Sequence, residues 1–78
     1  MISERLQAVL LKELRLGGFN FQDSTLASEV PGWDSLNHVG VLAAVEKEFQ
    51  VRFRSLEVIR LRNIGELQAL VDSKLAAR

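Results

Sequence analysis

The run Val30-Pro31-Gly32-Trp33-Asp34-Ser35-Leu36 leads without a break into the apolar stretch Val39 to Val45, and it constrains the layout of the whole chain. Pro31 and Gly32 punctuate a loop, since proline presets one backbone angle and glycine accepts conformations that other residues avoid. Asp34 is a good helix N-cap, because its short carboxylate can accept from a free amide of the first turn. A helix is therefore predicted from Ser35 to about Phe49. Ser35 falls at its first position, with a hydroxyl that faces solvent beside a carboxylate, which is a place for attaching something.

Counted at about 100° per residue, that helix has two apolar faces. His38, Val41, Leu42, Val45 and Phe49 lie in one stripe, whereas Leu36, Val39 and Ala43 lie in another that also holds Ser35 and Glu46. A helix of a small bundle needs one buried stripe. The second, beside Ser35, is expected to be a surface for a partner.

The remaining segments read as helices and one long loop. Ser3 can cap a first helix carrying Leu6, Val9, Leu10 and Leu14 and ending before Gly17-Gly18. From Leu16 to Asp34 the chemistry is that of a loop, yet Phe19, Phe21, Leu26 and Val30 are apolar, so this segment is expected to pack on the core. Phe49-Gln50-Val51-Arg52-Phe53 alternates like a strand, but no other stretch has β character to pair with it, and it reads as an extended connection. Ser55 offers a cap for a short helix through about Leu61. Asn63-Ile64-Gly65-Glu66 has capping-box spacing, and Ile64, Leu67, Leu70, Val71 and Leu75 form the stripe of a last helix. The predicted class is all-α, a bundle of three main helices plus one short helix.

Composition narrows the function. The 78 residues are 47% hydrophobic and 26% charged, which is globular rather than disordered, and they suffice for one small domain (1–78) without a deep catalytic cleft. No enzymatic activity is expected. With no cysteine, neither a disulfide nor a thiolate nucleophile nor a cysteine-based zinc site can form, and no metal site is expected. Ten basic and ten acidic residues give a formal net charge of zero, which argues against nucleic-acid binding driven by bulk charge. Arg52, Arg54, Arg60 and Arg62 do gather after the central helix, as a solvated face or a local basic patch. No segment reads as a leader or a membrane span, so a cytoplasmic location and no membrane partner are expected.

The block Gly32-Trp33-Asp34-Ser35-Leu36, with Glu46-Lys47-Glu48-Phe49-Gln50-Val51 about three turns further on, resembles the acyl carrier proteins, and a tryptophan before Asp-Ser-Leu is similar to stand-alone specialised members. The resemblance covers the whole chain. It implies an acyl-carrier-like bundle, a monomer that holds acyl intermediates as thioesters on a 4'-phosphopantetheine arm attached to Ser35. It further implies a phosphopantetheinyl transferase that installs the arm from coenzyme A with help from Asp34, and acyl-loading and acyl-processing enzymes of fatty-acid, polyketide or specialised biosynthesis. The reactive thiol then belongs to the cofactor and the protein supplies position and identity.

The partner surface is expected at Trp33, Leu36, Asn37, Val39, Gly40, Ala43, Glu46 and Lys47. Fatty-acid carriers usually bear acids where Asn37, Gly40 and Lys47 stand here, which turns this chain away from enzymes that attract an acidic helix. Trp33 can either dock beside the arm or anchor the loop with its indole N–H satisfied. His38, one turn from Ser35, lacks a third group to orient it and falls toward the core stripe, so a packing role is expected rather than a Ser-His pair. Two other functions compete: a peptidyl or aminoacyl carrier with the same fold and arm, and a non-catalytic helical interaction or DNA-binding module using the arginine segment.

Overall fold

The computed structural model describes residues 1–77. Four α-helices follow in order, α1 (Glu4–Glu13), α2 (Ser35–Phe49), α3 (Ser55–Ile59) and α4 (Ile64–Ala76), with one 3-10 turn at Ala27–Glu29 inside the long loop. No strand occurs among the described residues. The extended connection expected from Phe49 to Phe53 is shorter: Phe49 is the last residue of α2, Gln50 is left-handed, and residues 51–54 lead without regular structure to α3.

The caps begin the main helices as the sequence predicts. Ser3 accepts from the Leu6 amide, Asp34 from the Asn37 amide and Asn63 from the Glu66 amide, each satisfying one of the free N–H groups of a first turn. The ends are less obvious. α1 stops at Arg15, which takes a left-handed conformation (φ 56°) so that the Leu16 amide closes back on the Leu11 carbonyl at 2.9 Å. Gln50 (φ 54°) does the same for α2, with the Val51 amide on the Glu46 carbonyl at 3.1 Å. α1 thus ends before Gly17-Gly18, as expected, with an arginine rather than a glycine in the left-handed position.

Leu6, Leu10 and Leu14 of α1 pack against Val41, Val45 and Phe49 of α2, and Ile64, Leu67 and Val71 of α4 complete the core. Three expected core positions differ. Leu70 is half-buried outside the core while Gln68 is buried, its Oε1 accepting from the Ser3 amide and its Nε2 donating to Asp72. Leu26 is exposed, and Thr25 is buried in its place because its hydroxyl accepts from the Gln22 amide. His38 is half-buried, at the rim of the core stripe.

The long loop is tied to the start of α4 by backbone alone. The Ile64 amide donates to the Thr25 carbonyl at 2.8 Å and the Gly65 amide to the Asp23 carbonyl at 2.9 Å, using two amides that the helix itself cannot satisfy. The approach is so close that a Cβ on Gly65 would sit 2.7 Å from the Asp23 oxygen. Phe21 and Val30 are buried at either end of this docked loop. The effect is to deliver Pro31 to Asp34 at a fixed place over the N-terminus of α2.

The short helix α3 starts differently from the prediction. Arg54, not Ser55, holds the cap position, with the Glu57 carboxylate accepting from its amide at 2.8 Å, and the helix ends at Ile59 rather than Leu61. Arginine offers no capping oxygen, so the reciprocal glutamate bond secures this helix start alone. Glu57 also pairs with Lys74 at 2.8 Å, fastening α3 to α4.

Candidate functional site

The turn before α2 is braced from three sides. The Trp33 amide donates to the Val30 carbonyl at 3.1 Å across Pro31 and Gly32, and Gly32 has φ 81°, which a side chain would resist. The Asp34 Oδ1 accepts from the Asn37 amide at 2.8 Å, and the Asn37 Nδ2 reaches back to donate to the Gly32 carbonyl at 2.7 Å. Trp33, half-buried, donates its indole Nε1–H to Nδ1 of His38 at 3.1 Å. Ser35 is exposed at the first position of α2, on top of this arrangement. Its surroundings are rigid behind and open in front.

The chemistry available is that of attachment. The first-turn amides of α2 and the positive end of its dipole suit a negatively charged ester on the Ser35 oxygen. The Nδ1 of His38 is occupied by the indole, so the imidazole packs and hydrogen-bonds rather than activating Ser35, as expected. Among the described residues no group of three or more His, Cys, Asp or Glu could hold a metal ion, and no helix is long and apolar enough to cross a membrane. Behind Trp33 and His38 lies a cavity of about 50 Å³ that reaches Ala27, Leu42, Leu61 and Leu67.

The solution NMR structure of a holo acyl carrier protein from Geobacter metallireducens matches with a TM-score of 0.86 and 29% identity, over 92% of this chain and 83% of that one. Its fold is that of an acyl carrier protein. No family profile and no curated protein matches it. Acyl carrier proteins are carriers and not catalysts.

Within this acyl carrier fold the residues expected to form the partner surface fall into two sets. Leu36 (90% exposed), Val39 (72%) and Ala43 are displayed on α2 beside Ser35, so the second stripe is not wrapped by the bundle. Lys47 is exposed on the same side. The others are engaged within the molecule. Glu46 is half-buried and accepts from the Phe53 amide at 2.7 Å, Asn37 braces the Gly32 carbonyl, and Trp33 anchors the loop through His38. Gly40 is half-buried, with the Glu13 carboxylate 3.5 Å from where its Cβ would be, an ordinary contact. Sequence reasoning missed the exposed Leu56 and Ile59 of α3, of which Ile59 lines a groove with Val39. Their spacing in so short a helix left no stripe to recognise.

Proposed function

We propose that this chain is a single carrier domain that holds acyl intermediates as thioesters on a 4'-phosphopantetheine arm attached to Ser35 Oγ and presents them to biosynthetic enzymes. The observation that carries the reading is the exposed Ser35 hydroxyl at the first position of a capped helix, held by a braced turn, in an acyl carrier fold. In the attachment step the Ser35 oxygen attacks the pantetheine-bearing phosphorus of coenzyme A, the pyrophosphate bond breaks, adenosine 3',5'-bisphosphate leaves and the serine proton passes to solvent or to the transferase. When bound, the group supplies a mobile thiol for thioester exchange. Asp34 fixes the helix start through one carboxylate oxygen, and its proposed second role is to assist the transferase at the attachment site. The expected cytoplasmic location, the monomeric state and the transferase and acyl-handling partners belong to this proposal.

The chain has no cysteine, so any thiol must come from the arm. A thiol reagent should find none in the untreated protein and one per chain after incubation with coenzyme A and a broad-specificity phosphopantetheinyl transferase. No thiol after incubation, with a control carrier fully modified, would remove the basis of the proposal.

A further inference from the structure

The surface beside Ser35 has a charge pattern that the carrier reading does not require. Val39 and Ala43 on α2 and Ile59 (74% exposed) on α3 line a groove of about 330 Å³ with Leu42, Val58 and Glu46, and Leu36 and Leu56 (68%) are exposed on the same two helices. Four arginines lie on the elements around it. Arg52 lies with Ala43 and Lys47 at the far end of α2, Arg62 lies beside Trp33 and His38 near the attachment end, and Arg54 and Arg60 bracket α3. All four are exposed, and none forms a salt bridge with a described residue.

The acids nearby are engaged. Asp34 accepts from the Asn37 amide, Glu46 from the Phe53 amide, Glu57 pairs with Lys74, and Glu48 pairs with Arg5 on the α1 side. Arg54 stands at the N-terminus of α3, where a cation opposes the helix dipole and offers no capping oxygen. The surface thus carries exposed arginines around an apolar centre, although the chain as a whole has no formal net charge.

We propose that this α2–α3 face docks a partner protein whose contact surface has an apolar centre and an acidic rim. The proposal rests on the carrier reading, since the partner is one that takes up a group from Ser35. An apolar centre ringed by charge is the anatomy of a protein interface, with the rim setting encounter and partner choice. A nucleic acid would use the arginines and leave four apolar side chains uncovered. An anionic bilayer would need a longer amphipathic helix than the five residues of α3.

The test uses the full chain, isotopically labelled, and two synthetic amphipathic helical peptides with the same leucine face, one rimmed with glutamate and one with lysine. At low salt the glutamate peptide should bind about tenfold more tightly, as expected for several exposed ion pairs acting together. Its shift changes should centre on Leu36, Val39, Leu56 and Ile59. The double variant Arg54→Glu, Arg60→Glu should lose or reverse that preference; should it fail to fold by circular dichroism, Arg52→Gln with Arg62→Gln should halve the preference or more. Equal binding of the two peptides, or preference for lysine, would overturn the proposal. So would tighter binding, through the same residues, to phosphatidylglycerol vesicles or to duplex DNA. The thiol assay is run in parallel: one thiol per chain without peptide discrimination leaves the carrier reading standing and removes this one, whereas no thiol removes the carrier reading whatever the peptides do.

Discussion

The Trp33 indole donates to Nδ1 of His38 at 3.1 Å, with the rings 6.2 Å apart, and this bond ties the loop that presents Ser35 to the first turn of α2. The two partners are not equivalent. Replacing His38 with leucine leaves a half-buried indole N–H without its acceptor and should cost about 1–3 kcal/mol of stability. Denaturant unfolding followed by the fluorescence of the single tryptophan checks this, and a loss near zero would mean that the bond is not made in solution.

Two glycines should respond in opposite directions. Gly65→Ala puts a Cβ 2.7 Å from the Asp23 carbonyl, in backbone that cannot yield without undocking the long loop, and should destabilise the fold by about 1–3 kcal/mol. Gly40→Ala meets only an ordinary contact with Glu13 and should stabilise by about 0.5–1 kcal/mol through helix propensity. Paired thermal melts decide the matter, since a shift of both variants in the same direction contradicts this packing.

Much of the fold is legible in the sequence because local chemistry and periodicity agree there. Ser3, Asp34 and Asn63 are caps in sequence and in structure, and Leu6, Leu10, Val41, Val45, Ile64, Leu67 and Val71 recur at helical spacing because they face one core. The misses share a cause in tertiary contacts. Burial of Gln68 depends on a Ser3 amide 65 positions away, and burial of Thr25 on a bond inside a loop. At the site, the cap position of Asp34 and the first helical position of Ser35 are legible from spacing, and a loop anchor is one of the two readings of Trp33. The bracing roles of Asn37 and Glu46 are not, since each depends on where a looping backbone group comes to rest.

Asn37 is a case where composition and geometry recommend opposite substitutions. As a missing acid it invites replacement by aspartate, but Asn37→Asp removes the donor to the Gly32 carbonyl and places a second carboxylate beside Asp34. This variant should slow modification of Ser35 several-fold with about 1 kcal/mol or less of stability lost. Lys47→Glu, which breaks no bond of this kind, should leave modification by the transferase nearly unchanged and improve loading by a malonyl transferase of fatty-acid synthesis at low salt. Unchanged loading would sink the charge basis of partner choice.

The Glu57 carboxyl is held below its ordinary value by the hydrogen bond from Lys74 and then by the Arg54 amide. A folded value lower than the unfolded one gives a contribution that is present above the ordinary carboxylate range and is lost as pH falls through the lowered value. The α3–α4 fastening should therefore loosen on the acid side as Glu57 takes up a proton. Amide shifts of Val58 and Leu61 followed by NMR should show that step in wild type, and Glu57→Gln should abolish it; an identical acid-side change in the variant would assign it elsewhere.

The attachment of phosphopantetheine to Ser35 is tested most directly by peptide mapping after incubation with coenzyme A and the transferase. The account predicts one modification, confined to the peptide containing Asp34-Ser35-Leu36, and none in a folded Ser35→Ala variant. Modification at Ser24, Ser28 or any other residue, or a Ser35→Ala protein that is still labelled, would contradict it.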